Sequence, residues 1–218
     1  VLDNLPIKIE KVGNRIKYTR ETADEKVEKF LPDCEIFVSP VEPVNLPRNI
    51  TRFLEIDFPP IMLEPNAIER IYLKFPIEIG VFAKKGDKIA VVDVFTFNKP
   101  KYTLYGNPKS GVVCRWYRSE VYYDIPKVDP LKDGVLELTV RNIGDWTEVS
   151  KVVFDCYAMK IYYDDFAGMV AEMRIASKNT AETSFIDKPL RNGMKKAVEL
   201  YTTRRLIGKS FVMEWGLK

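Results

Sequence analysis

The feature that most restricts the fold of this 218-residue chain is a period-two alternation of apolar and polar residues, repeated in short segments along its length. Ile7-Lys8-Ile9-Glu10, Phe53-Leu54-Glu55-Ile56-Asp57-Phe58, Ile68-Glu69-Arg70-Ile71-Tyr72-Leu73-Lys74-Phe75 and Leu136-Glu137-Leu138-Thr139-Val140 all carry it. Successive side chains of a strand point to opposite faces, so this spacing buries one face and wets the other only in a β-strand. Prolines crowd the stretch from Pro32 to Pro76, among them Pro40, Pro43, Pro47, Pro59, Pro60 and Pro65. Proline is tolerated at strand edges and in connections but breaks helix interiors, which excludes a helical bundle. The expected fold class is all-β, an antiparallel β-sandwich with at most short helices.

Turn chemistry supplies the connections. Gly13-Asn14 between two alternating segments predicts an opening hairpin. Gly134–Asp145 ends in Asn142-Ile143-Gly144 and re-enters as the alternating Glu148–Phe154, a strand pair of the immunoglobulin-like kind that buries Val135, Leu138 or their neighbours. Leu63-Glu64-Pro65-Asn66-Ala67-Ile68 has the layout of a second such pair. The reading is therefore two immunoglobulin-like sandwiches in tandem. Lys99-Pro100, Gly106-Asn107-Pro108 and Ser110-Gly111 place the boundary near residue 105, giving an N-terminal domain over 1–105 and a C-terminal one over 106–218. Two helix candidates remain. Thr22-Ala23-Asp24-Glu25 matches a capping box ahead of Val27, Phe30 and Leu31, and Met194, Ala197, Val198 and Tyr201 share helical spacing. The second competes with a hairpin turning at Asn192-Gly193, which is the preferred reading.

The chain has no histidine, which removes Ser-His-Asp and Cys-His nucleophiles, histidine-ligated metals and imidazole as a general base. Cys34, Cys114 and Cys156 are odd in number and widely spaced, fitting neither a disulfide framework nor a zinc site. They are expected as free thiols, two of them with apolar flanks, in a reducing cytoplasm. Apolar runs such as Ile89-Ala90-Val91-Val92, closed off by Asp93, are too short to span a membrane, so membrane insertion is not expected. Asp164-Asp165 is the adjacent acidic pair of the later half and reads as a solvated turn. No phosphate-cradling or dinucleotide motif is present, and no cofactor or metal is expected.

The most distinctive chemistry is Arg115-Trp116-Tyr117-Arg118. Arginine interleaved with aromatics can anchor a protein interface or stack on bases. In a strand, Arg115 and Tyr117 share one face and Trp116 and Arg118 the other, so one face serves as core. These four residues are the candidate interaction surface. The net charge of +3 is concentrated late: from Lys188 onward there are eight Lys and Arg against Glu199 and Glu214. That basic end, without a recognition motif, makes nucleic acid a minor candidate partner.

Ser39-Pro40-Val41-Glu42-Pro43-Val44-Asn45-Leu46-Pro47, Phe75-Pro76-Ile77-Glu78-Ile79-Gly80-Val81, Lys101-Tyr102-Thr103-Leu104-Tyr105-Gly106 and Phe211-Val212-Met213-Glu214-Trp215-Gly216 together resemble an uncharacterised, mainly archaeal family, the domain-of-unknown-function family numbered four-three-two. The resemblance spans nearly the whole chain and implies no activity and no catalytic residues. The functional expectation is a non-catalytic binding or structural module acting through protein contacts. The alternatives are a carboxylate-based or metal-dependent hydrolase and a weak nucleic-acid binder. The apolar strands Ile68 to Phe75 and Phe211 to Trp215 need covering at their edges, which predicts a homodimer or an unknown protein partner.

Overall fold

The computed structural model describes residues 5–22, 25–47, 49–201 and 210–218. Among them the fold is all-β and mostly antiparallel, its only helical element a single 3-10 turn at Cys156–Ala158. The chain divides into two compact units that are discontinuous in sequence. The first takes Val1–Ser39 and Gly80–Asp93, the second Pro40–Ile79 and Val94–Lys218, so residue 105 lies inside the second.

The first unit opens with the expected hairpin, β1 (Ile7–Val12) and β2 (Arg15–Glu21). The hairpin turns at Gly13, whose φ of +60° is one that glycine adopts without strain. β3 (Lys26–Pro32) completes a three-stranded meander, paired with β2 from Arg15–Pro32 to Glu21–Lys26. Val27, Phe30 and Leu31, expected behind a capping box, therefore lie in a strand and not in a helix; Ala23 and Asp24 of that box lie outside the described residues. The Thr22 N–H donates to the Glu25 carbonyl at 2.9 Å and the Glu25 N–H to Thr22 Oγ1 at 3.2 Å, and β2 offers Val27, Phe30 and Leu31 a seven-residue ladder. A short helix with one apolar stripe has no comparable partner. A second sheet, ordered β4-β7-β8, comprises β4 (Glu35–Val41), β7 (Glu78–Lys85) and β8 (Lys88–Phe95), which carry the chain between the units. Within the first unit Asp93 accepts from the buried Tyr18 hydroxyl at 2.9 Å and from Arg20 Nε at 2.6 Å.

The second unit is a two-sheet sandwich. One sheet runs β12-β5-β10-β9, from β5 (Phe53–Leu63), β9 (Lys101–Tyr105), β10 (Val112–Arg118) and β12 (Thr147–Asp155). The other runs β16-β13-β14-β11-β6, with β15 and β17 continuing from β14. Its strands are β6 (Ile68–Pro76), β11 (Asp133–Asn142), β13 (Tyr162–Tyr163), β14 (Ala167–Ser177), β15 (Thr180–Ile186), β16 (Lys195–Lys196) and β17 (Ser210–Met213). Leu54, Ile56 and Phe58 of β5 join Ile71, Leu73 and Phe75 of β6, Leu136, Leu138 and Val140 of β11, and Met169 and Met173 of β14 in one apolar core. Burying these side chains contributes about 1.5–3 kcal/mol each. Two ladders are parallel, β5 with β10 and β11 with β14. Pro59 and Pro60 fall where β10 has left β5 and the β5–β12 register shifts between Val149 and Lys151, so neither is asked for a ladder donor.

Both anticipated strand–turn–strand units are present, and each carries the chain from one sheet to the other: β5 to β6 and β11 to β12. The buried Asn142 ties the two crossings together. Its Nδ2 lies 3.3 Å from Leu63 O, 3.0 Å from Glu64 O and 2.7 Å from Asp145 O, while its Oδ1 accepts the Gly144 N–H at 3.0 Å. Met194–Tyr201 forms no helix: Gly193 turns with φ +92°, and Lys195–Lys196 then pairs with β13 rather than folding back on the chain before the turn.

The strands expected to need covering are partly covered within the chain. Tyr72 and Tyr122 exchange backbone hydrogen bonds of 2.7 and 3.0 Å, and the Lys74 N–H donates to Ser119 Oγ at 2.8 Å, closing the outer side of β6 there. Ser210–Met213 pairs with β15, and residues 202–209 before it lie outside the described residues. Cys114 and Cys156 are buried free thiols and Cys34 is half-buried. Asp164 and Asp165 sit in a turn, with Arg191 Nε 2.7 Å from Asp164 and Nη2 3.0 Å from Asp165. Arg191 holds the Asp164 carboxyl below its ordinary range. Among the described residues no helix is long and apolar enough to cross a membrane, and no group of three or more potential metal ligands occurs.

Candidate functional site

Strand β10 carries all four candidate residues, and its neighbours decide what each can do. Its parallel register sets Arg115 beside Leu54 and Tyr117 beside Ile56, and places Trp116 beside Glu55 and Arg118 beside Asp57. The alternation expected from the sequence therefore holds. Arg115 goes inward and is only 1% exposed. Its Nη1 lies 2.6 Å from Glu78 Oε1, and Glu78 Oε2 accepts the Asn45 N–H at 3.1 Å. Burial pushes the Glu78 carboxyl up to about 7 although Arg115 and the Asn45 amide favour its charged form. Tyr117 donates its hydroxyl to Asp133 Oδ1 at 2.8 Å; burial and that carboxylate raise its pKa.

On the opposite face Trp116 Nε1 donates to Asp57 Oδ2 at 2.8 Å, which fixes the indole, and the Lys101 ammonium stands 5.6 Å from the ring centroid. Arg118 is exposed. Beside them the buried Glu55 lies 2.7 Å from the half-buried Lys151, and the half-buried Asp57 lies 3.3 Å from the same ammonium. Burial raises the Glu55 carboxyl against the pull of Lys151.

Trp116, Tyr117 and Arg118, with part of Arg115, line a cleft of about 280 Å³ together with Pro76, Asn98, Lys99 and Lys101. Asn98 holds its rim by donating to Lys132 O at 2.6 Å and Asp133 Oδ1 at 3.3 Å. Lys99, Lys101 and Arg118 have no carboxylate partner among the described residues. The cleft thus offers three uncompensated cations around a clamped indole, a surface suited to an anionic group beside an apolar one. Reading the sequence singled out the β10 residues but missed Lys99, Lys101 and Asn98. Asn98-Lys99-Pro100-Lys101 reads as turn punctuation, and its signal as a site is only the pair of lysines entering the strand that adjoins the aromatic run.

Besides Glu78, a further acid is buried near Asn45. Glu42 is 2% exposed and its Oε2 has no hydrogen-bond partner. Burial carries its carboxyl up to about 7, opposed by backbone N–H groups at Glu42, Leu200 and Tyr201. Asn45 links the neighbourhood of the two acids, donating through Nδ2 to the Glu42 carbonyl at 2.5 Å and through its N–H to Glu78.

Fold and site define an all-β protein whose larger unit is a sandwich with a basic, aromatic cleft on one sheet. The chain belongs to the family described as Protein of unknown function (DUF432), which matches residues 1–214. Comparison with curated proteins and with solved structures gave no match in either case.

Proposed function

We propose that this chain is a non-catalytic binding module that acts through protein contacts and recognises its partner at the β9–β10 cleft. The observation that carries this reading is the convergence of Lys99, Lys101 and Arg118, all without a carboxylate partner among the described residues, around a Trp116 fixed by Asp57. Interface hot spots are enriched in Trp, Tyr and Arg because these combine a large apolar area with directed polar contacts. The supporting shell is rigid: Arg115 is locked to Glu78 and Tyr117 to Asp133, so the cleft is held in place before a partner arrives.

The test is affinity capture with the full chain, comparing the wild type, Arg118→Glu with Lys101→Glu, and a control reversing the exposed Lys178, which lies outside the cleft. Partners held by wild type and control but lost by the cleft variant support the reading. Partners held equally by all three overturn it.

A further inference from the structure

We infer that the cleft receives an extended acidic segment of a partner protein, which adds to the sandwich as a new strand beside β9. This rests on the cleft being the binding surface and adds the mode of engagement and the chemistry of the partner.

The first observation is the open edge. β9 ends the β12-β5-β10-β9 sheet and pairs on one side only, from Lys101–Trp116 to Tyr105–Val112. Its other side has no backbone partner among the described residues. The far end of the same sheet is closed: Glu148 and Lys218 exchange backbone hydrogen bonds of 2.7 and 3.1 Å beside β12, and Thr183 Oγ1 donates to the Val153 carbonyl. The outer edge of β6 is capped at Tyr72 and Lys74 as described. An edge of free N–H and C=O groups is a template for a further strand.

The second observation is what flanks that edge. Leu104, 47% exposed, and Val113, 44% exposed, are paired across β9 and β10, and Tyr102 is exposed on the same face. They provide an apolar strip for alternate side chains of an incoming segment. Lys101 and the adjoining cleft cations lie toward the start of β9. The charge decides which strand is admitted. Lysine on an edge discourages pairing with neutral or basic strands, and the same uncompensated charge rewards a segment bearing Asp or Glu. Five residues of β9 fit a partner stretch of about five residues, a usual strand length.

The experiment uses the full chain and fluorescein-labelled nine-residue peptides of alternating Glu and Val, with an alternating Lys and Val peptide and a thymidine oligonucleotide as comparators. The Glu/Val peptide is also made with backbone N-methylation at odd or at even residues. A strand added at an edge uses every second N–H, so methylating one set weakens binding by at least about tenfold and methylating the other leaves it little changed. Hydrogen exchange at Lys101–Tyr105 slows when the peptide binds. If both methylated peptides bind as well as the parent while Arg118→Glu abolishes binding, strand addition is overturned and the cleft reading survives. If no Glu/Val peptide binds, or the Lys/Val peptide binds in preference, addition of an acidic strand is overturned while the cleft reading is decided by the capture experiment; if the oligonucleotide binds in preference, both are overturned.

Discussion

Glu42→Gln should remove a large part of the pH dependence of stability. The wild-type carboxyl titrates at an ordinary 4.5 when unfolded and at about 7 when folded, because burial penalises the anion. Between those values the folded state holds the extra proton, so this group favours folding at low pH. That contribution is complete below about pH 4.5 and is lost as pH rises through about 7. Integrating the two titrations from about pH 5.5 to about pH 8.5 gives a loss of about 2 kcal/mol from Glu42 alone. Glutamine keeps one oxygen to accept from the chain near Leu200 and Tyr201 but cannot ionise. Its amide occupies the position of the unpartnered Oε2, at a cost of about 1–3 kcal/mol that does not vary with pH. The diagnostic is therefore the change in ΔΔG with pH and not its value at one pH. Urea denaturation followed by tryptophan fluorescence at both pH values measures it, since ΔG is linear in denaturant. Relative to wild type, the variant should gain about 2 kcal/mol between the acidic and the alkaline condition. Parallel pH profiles for the two proteins would refute the reasoning, because they would mean that Glu42 has the same pKa folded and unfolded.

Three further outcomes follow from the same packing. Arg115→Met strands the Glu78 carboxyl in the core and should cost about 3–5 kcal/mol by urea denaturation at neutral pH, while adding Glu78→Met should recover most of it; a neutral single variant would show that the pair is not buried as described. Asn142→Ala removes the donors that reach Leu63, Glu64 and Asp145 and the acceptor for Gly144, and should lower stability by about 2–3 kcal/mol in thermal unfolding; a change under about 0.5 kcal/mol would dissociate Asn142 from the two crossings. Burial pushes the Cys114 thiol up to about 12 and Cys156 also well up, so a thiol reagent at neutral pH should modify Cys34 first and reach the other two only in denaturant; rapid labelling of Cys114 in the native protein would contradict its burial.

Many of the strands were legible because they announce themselves locally. Alternation over Ile68–Phe75 and Leu136–Val140, and the Gly13-Asn14 turn, need no distant partner to be recognised. The parallel ladders β5–β10 and β11–β14 were not legible, since period two is blind to direction and their strands are far apart in sequence. Thr22–Glu25 misled because a threonine followed three residues later by glutamate suits a capping box or a tight turn equally, and only the waiting edge of β2 decides between them. Arg115 shows the same limit at the site. Alternation assigned it a face, but only Glu78, 37 residues earlier, explains how a charged side chain can be buried there.

The discontinuity of the first unit has a consequence for synthesis. Residues 1–39 leave the ribosome well before the stretch Gly80–Asp93 that completes their unit, and the wait covers the making of β5 and β6. At ordinary elongation rates of about 5–20 residues per second this delay is roughly 3–10 s, far longer than a hairpin needs to form. Through that interval β1 to β3 can pair among themselves, but Tyr18 and Arg20 have no Asp93 to bind. The nascent chain therefore carries a half-built unit with its inner face uncovered until residue 93 emerges, a window in which a holding chaperone would act on the N-terminal strands.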